Sequence, residues 1–539
     1  MGASTSTEKW VPDDQKEAEA LAASTGALPQ LQSAFSKLAD PQTNAIPFES
    51  LQKCFFLGYK NRTQETSVVP ESFPAVLDCV GSTIAELFFI PEEGGVTWVE
   101  FLKGYNKCCG NISASVLLNT LIRVFDATMV KAGLPSKLEV TSLEDEFKIS
   151  GFLLSSDILM LLWMCWTMSW DSSTFKVLGS NSNLFLPDIN NLVLSSVSSC
   201  AEAGNTVSIW DCDILGLAVE VPVGKFLPWA VKTVPSLPDG FSHFVHARIL
   251  QAPTQEVGVE SSSSLAADIA SPETSSSYVL TRGTAWAVSL SQRGCIREEI
   301  SKICFVTSGD GNYEHLLYRS SLHGRGLNRF WSNIEGYHGP LFVVVHAESV
   351  DTRDDSTNEL KWTVGVLTFQ GFENKDQFYG GGGNIYALSP VFHVYSPTGK
   401  EKNFVYSHLH PSAKVYEPHP KPVGIAFGGT TGNERIFIDE DFARVTVRHH
   451  VVDKTYQPGP LFPDQGFLPV EASILEVEAW GFGGSAAKEI QNSYKRREEL
   501  FTEQRRRVDL KTFASWEDSP EKMMLDMMSD PNAVRREDR

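Results

Sequence analysis

The sequence predicts an α+β multidomain protein, in which a helical region precedes an antiparallel β-sandwich with flanking helices and a C-terminal helix. Three observations carry that expectation. Between Leu28 and about Leu250, apolar residues recur at three- and four-residue spacing, the period of a helix face. Between Glu314 and Phe482 the period falls to two. Trp362, Val364 and Val366 point one way there, and Thr363, Leu367 and Phe369 the other. Ala443, Val445 and Val447 alternate with Arg444, Thr446 and Arg448, and Leu475, Val477 and Ala479 with Glu476 and Glu478. Such strands bury one face and wet the other, and the Gly and Pro clusters between them sit at turn spacing. After Gly484 strong helix formers run without proline until Pro520.

A chain of 539 residues exceeds one ordinary core, so several domains are expected. With 42% hydrophobic and 21% charged residues, the composition is that of a globular protein. A net charge of -20 argues against a nucleic-acid-binding body, because phosphate contacts need clustered cations. Nine cysteines lie scattered without C-x-x-C spacing, which reads as a reduced, intracellular chain. The run Ile158 to Trp170 is shorter than the ~20 residues of a membrane-spanning helix, and is expected to be a buried core helix.

Residues 1–27 are expected to be a disordered start. Their opening MGASTS fits the myristoylation pattern, with Gly2 the acceptor and Ser6 at the selective position. One myristoyl chain gives marginal, reversible membrane binding, so only peripheral contact is implied. The nearby Asp13, Asp14, Glu17 and Glu19 would be repelled by an anionic leaflet.

Residues 28–250 form the expected helical region. Two of its stretches, FSKLADPQTNAIPFESLQKCF and ELFFIPEEGGVTWVEFLKGY, resemble a pair of EF-hands that have lost their metal, with Ile46 and Val96 as the loop-strand residues. VEVPVGKFLPWAVKTVPSL resembles the exit of a further hand. A working loop needs oxygens at positions one, three and five and a bidentate Glu at twelve. Here Phe89, Pro91 and Glu93 fall at the first three and Glu100 at the closing one, while Asp40 and Asn44 are the oxygens of the first loop. No metal and no cofactor are expected, and a calcium-regulated adaptor is the weaker alternative.

Residues 251–277, containing VESSSSLAADIASPETSSS, read as a solvated Ser-rich linker. From 278 to 484 the motifs accumulate. LLYRSSLHGRGLNRF, DQFYGGGGNIYALSPVFHVY, IAFGGTTGNERIFIDEDF and ILEVEAWGF stand in that order. Together they resemble the four sequence signatures of the TLDc domain, the domain of oxidation-resistance proteins. The resemblance implies a protein-interaction module that binds the vacuolar proton ATPase or contributes to oxidative-stress tolerance, and it supplies no catalytic mechanism. An enzyme using a TLDc pocket for peroxide or thiol chemistry is the alternative. The sandwich stretch contains no Cys, so such an enzyme would have to borrow Cys295 or Cys304.

No catalytic residue is assigned. GGGGN at 380–384 and GGTTGN at 428–433 lack the spacing of phosphate loops and read as tight turns. His408 and His410 have no acidic or Cys partner at ligand spacing. Glu335, Glu373, Glu434, Asp439, Glu440 and Asp441 read as turn carboxylates. The predicted helix 485–517 instead carries the candidate partner-binding residues Lys495, Arg496, Arg497, Arg505, Arg506 and Arg507, a basic element on an acidic protein. Residues 518–539 are expected to be a disordered tail.

Overall fold

Apolar spacing of three and four residues is realised as helix through the first half of the computed structural model. The described residues are 12–58, 62–64, 69–91, 94–143, 146–172, 184–201, 209–210, 212–251, 278–305, 314–350, 359–409, 421–517, and Lys522, Met524 and Met528. The chain opens with α1 (Asp13–Ser24), α2 (Leu28–Leu38) and α3 (Phe48–Cys54). Strand β1 (Arg62–Gln64) then leads to α4 (Phe73–Phe88), α5 (Trp98–Cys109) and α6 (Ala114–Lys131). Helix α1 lies inside the stretch expected to be disordered. It holds because Ala18 and Ala22 are buried, Trp98 Nε1 donates to Glu19 at 2.9 Å, and Asn106 Nδ2 donates to the Ala18 carbonyl at 3.0 Å.

The two EF-hand-like loops lie side by side. Ile46 and Val96 exchange both backbone hydrogen bonds at 2.9 Å. Their ligand positions serve the fold. Phe89 is wholly buried, and Glu100 caps α5 by accepting from Thr97 N and Oγ1 at 2.9 and 3.0 Å. Asp40 accepts from Gln42 N at 2.7 Å to close its own turn, while Glu93 lies outside the described residues.

A hairpin of β2 (Leu138–Leu143) and β3 (Glu146–Leu154) runs into α7 (Ser155–Ser172), and β4 (Leu184–Leu186) precedes α8 (Asn190–Cys200). Strand β5 (Glu220–Pro222) pairs with β3 and starts α9 (Val223–Thr233), followed by α10 (Asp239–Leu250). Helix α7 holds the run Ile158 to Trp170 and is buried along nearly its whole length. No single helix among the described residues is long and apolar enough to cross a membrane. The Ser-rich stretch 252–277 lies outside the described residues; beyond it α11 (Arg282–Ser291) and α12 (Gly294–Phe305) return to the helical layer.

The second half forms one antiparallel sheet of eleven strands. It comprises β6 (Leu316–Arg319), β7 (Leu341–Val350), β8 (Glu359–Thr368), β9 (Lys375–Tyr379), β10 (Gly383–Ser389) and β11 (His393–Tyr395). It continues with β12 (Val405–His408), β13 (Gly424–Thr430), β14 (Asn433–Asp439), β15 (Arg444–Val447) and β16 (Val470–Gly481). Helices α13 (Ser320–His323) and α14 (Leu327–Ile334) separate β6 from β7, and α15 (Gly484–Glu517) closes the described chain. The order β11-β10-β8-β7-β16-β15-β14-β13-β12-β9, with β6 also on β16, is continuous. The sandwich is therefore one sheet curled on itself, whose inner side chains share one core. Its glycines act as expected at the β13–β14 hairpin, where Gly432 at φ 86° makes the two-residue turn between Thr430 and Asn433.

The alternation predicts a water-facing outer surface, and here the structure differs. Val343, Val345, Val364, Val366, Ile385, Val477 and Ala479 point inward. Phe342, Val344, Leu367, Tyr386, Leu388 and Trp480 point outward, into the core of the helical region. The strands β7, β8, β10 and β16 are thus buried on both faces because helices cover the outer one. Asn191 fastens the seam, donating to the Leu388 carbonyl at 2.9 Å while its own carbonyl accepts from Phe392 N at 3.1 Å.

Candidate partner interface

Helix α15 begins on the sandwich and then leaves it. Gly484, at φ 67°, turns the chain out of β16 into the helix. Ala487 is buried, and Gln491 Nε2 donates to the carbonyl of Asn333 at 2.8 Å. Tyr494 Oη donates to Glu335 Oε1 at 2.9 Å. Its ring packs over Gly336, where an added Cβ would meet Tyr494 carbon at 2.6 Å, so only glycine permits this approach.

The six candidate cations divide at this point. Lys495 Nζ donates to the Asn333 carbonyl at 3.2 Å, and burial, with Lys488 beside it, lowers its pKa. It belongs to the dock. Arg496 and Arg497 are exposed, as are Arg505, Arg506 and Arg507, with Arg507 paired to Glu503 one turn back. Twenty-two residues, 496–517, continue past the dock. At about 1.5 Å per residue they extend roughly 33 Å. Leu500 and Phe501 stand 58% and 59% exposed on this part. Arg497, Phe501 and Arg505 follow at i, i+4 and i+8, so one face carries an aromatic bracketed by cations. Gly2, the lipidation candidate, lies outside the described residues.

The turn carboxylates do not converge. Asp439 accepts from Ala443 N and Arg444 N at 2.8 and 3.1 Å, Glu373 pairs with Lys375 at 2.5 Å, and Glu434 is buried against Arg448. Among the described residues no group of three or more His, Cys, Asp or Glu stands close enough to hold a metal ion. His410 and His419 lie outside the described residues. Cys304 is buried and its thiol pKa is pushed far up by that burial, a poor nucleophile; Cys295 is exposed.

Two carboxylates that the alternation assigns to water are instead enclosed. Glu476 and Glu478 lie on the outer face of β16, under the helical layer. Glu478 is 0% exposed and accepts from Val279 N at 2.9 Å, and from Leu280 N and Trp480 Nε1 at 3.0 Å. Arg319 Nε stands 3.7 Å away. Burial still raises its pKa. At Glu476 burial also pushes upward, but hydrogen bonds from Ser320, Ser321 and Arg319 outweigh it and hold the carboxyl below the usual range. Glu476 lines a cleft of about 570 Å³ together with Asp188, Asn191, His346 and Thr363, where His346 Nδ1 lies 3.0 Å from Thr363 Oγ1, and Glu478 lies buried beyond it. Every oxygen of these carboxylates is engaged, which leaves neither placed as a free base. The signal in the sequence was the E-V-E spacing, which puts both on one face; their burial depends on helices far away in the chain.

The comparisons agree with this architecture. Residues 296–483 match the family model of the TLDc domain, from α12 through the end of β16. No curated protein matches the chain closely enough to add a relative. The four motifs of the sandwich fall inside the matched residues as β6 with its helical turn, β9 to β11, β13 to β14, and β16, so residues 296–483 of this chain form a TLDc domain.

Proposed function

We propose that this chain is a non-catalytic interaction protein whose partner is the peripheral sector of the vacuolar proton ATPase, and that the exposed part of α15 engages it. The TLDc domain implies interaction with protein partners in general. The observation that carries the finer reading is the split of α15 into a docked root and an exposed outer part bearing Arg497, Leu500, Phe501 and Arg505 to Arg507. Aromatic and Arg side chains dominate binding energy at interfaces. The eleven-stranded sheet supplies the rigid base. In the family such contacts bear on oxidative-stress tolerance, and that role is proposed here as well. Acylation of Gly2 would add a reversible membrane contact of about 10⁴ M⁻¹.

Exposed charges act mainly on association, and salt screens them over ~8 Å near 0.15 M. Reversing Arg505, Arg506 and Arg507 to Glu is expected to slow association with that sector about tenfold at low salt. The melting temperature should stay unchanged, since all three side chains are exposed. Biosensor kinetics at two salt concentrations read the effect. Equal association rates for wild type and variant at both would overturn the role given to α15.

A further inference from the structure

The helical region holds a cavity of about 770 Å³ between α1, α5 and α6, floored by Phe88 of α4. Pockets for small apolar ligands measure about 300–1,000 Å³. Its apolar wall is Ala18, Leu21, Phe88, Ile112 and Val116. Leu21 and Val116 are each 52% exposed, so two large aliphatic side chains stand half uncovered around one hollow. Lys107 and Asn119 also line it and carry hydrogen-bond donors, while the Thr120 hydroxyl donates to the Val116 carbonyl at 3.0 Å. Asn106 ties α5 to α1 through the Ala18 carbonyl as described, and Lys103 Nζ pairs with Asp14 at 3.1 Å at the exposed edge.

We infer that this cavity receives the acyl chain of the protein's own N-terminus. The inference rests on the acylation of Gly2 proposed above. Removal of Met1 frees the Gly2 amine. That amine attacks an acyl thioester, forms the amide, and releases the thiol with a proton. Residues 1–11 lie outside the described residues and join the chain at Pro12, immediately before α1, whose first three turns wall the cavity. Ten residues from Gly2 to Pro12 span at most about 35 Å, ample to fold back over α1. Each methylene of an exposed acyl chain is disfavoured in water, and the half-bare Leu21 and Val116 offer it an apolar wall. The donors of Lys107 and Asn119 suit the carbonyl of the acyl amide. Seating the chain here competes with inserting it in a bilayer, so membrane contact becomes switchable.

The test uses the full chain, expressed with and without an N-myristoyltransferase, with acylation read by intact mass. A dansyl-labelled fatty acid is titrated into each form. The Gly2→Ala chain is expected to bind the probe, and the acylated wild type to bind it at least tenfold more weakly because its cavity is filled. Leu21→Glu with Val116→Glu, both at half-exposed positions, should cost the Gly2→Ala chain at least tenfold in probe affinity. In the acylated chain the same pair should raise flotation on phosphatidylcholine vesicles several-fold. Circular dichroism melting confirms that the pair folds. Failure of Gly2→Ala to bind the probe, or equal probe affinity with and without the acyl group, overturns the cavity assignment. An unchanged intact mass overturns the acylation reading itself, and the probe titration on the unmodified chain tells the two failures apart.

Discussion

Replacing Glu478 with alanine is expected to destabilise the fold by about 3–5 kcal/mol, the range for removing one partner of a buried charged cluster. The carboxylate gathers Val279 N, Leu280 N and Trp480 Nε1 within 3.0 Å and faces Arg319. Alanine leaves all three N–H groups buried without their acceptor, while the Arg319 guanidinium keeps Glu476 at 3.2 Å. Because Val279 and Leu280 lead into α11, the loss should be felt at the seam between helices and sheet. Glu478→Gln keeps one acceptor oxygen and should cost less, about 1–2 kcal/mol. Chemical denaturation of the three chains measures the order. The pH dependence follows from the raised pKa. A carboxyl raised in the folded state contributes most below its ordinary value of 4.5, and that contribution is lost as pH rises through the raised folded value. The gap between wild type and Glu478→Gln is thus expected to change in mildly acid solution, with wild type gaining relative stability as pH falls.

Asp453→Ala is expected to cost a similar 3–5 kcal/mol, for the opposite electrostatic reason. Arg435 and Asp453 are both essentially unexposed and pair at 3.2 Å. Asp453 Oδ1 also accepts from Thr455 N and Tyr456 N at 2.8 and 3.1 Å. The guanidinium donates to the carbonyls of Gln457 and Gly459 at 2.6 and 2.9 Å and lies 4.3 Å from the Tyr395 ring centroid. Together they pin the 448–460 loop to the curled sheet. At Asp453 burial pushes the pKa upward, but the bonds from His450, Tyr456 and Thr455 and the charge of Arg435 overcome it and hold the carboxyl below its ordinary 3.8. A carboxyl lowered in the folded state contributes fully above the ordinary value, and its contribution is lost as pH falls through the lowered one. Melting curves of wild type and Asp453→Ala should lie well apart at neutral pH and approach each other only in strong acid. A constant separation down to pH 2 would contradict the ion pair as the source of the effect.

These two clusters mark where the sequence stops being legible. The strands could be placed because Trp362, Val364 and Val366 repeat at period two, a local signal. The helical core of α7 could be placed because its apolar run is local too. The curling of the sheet, and the helices on its outer face, are products of contacts nearly 200 residues apart, such as Val279 with Glu478 and Asn191 with Leu388. Alternation alone therefore sends Glu476 and Glu478 to water. Arg435 is buried because Asp453, Gln457 and Gly459, 18 to 24 residues on, come round to meet it. On α15 the composition identified the helix and its cations, but the dock was hidden in Gly336. The missing Cβ there lets Tyr494 pack, and Lys495 is drawn into the dock with it. Helix α1 gives little local signal, because only two alanines, Ala18 and Ala22, are buried along a charged stretch.

The central claim, that the outer half of α15 meets the partner, is tested most directly by hydrogen exchange on the full chain, alone and with the assembled peripheral sector of the vacuolar proton ATPase. Amides of 496–507 stand on a helix exposed on all sides and should exchange readily in the free chain, then slow by at least tenfold in the complex. Amides of 487–495, already held on Asn333 and Glu335, should change little. Unchanged exchange across 496–507 in a complex that protects other surfaces would contradict the account and place the partner elsewhere on the molecule.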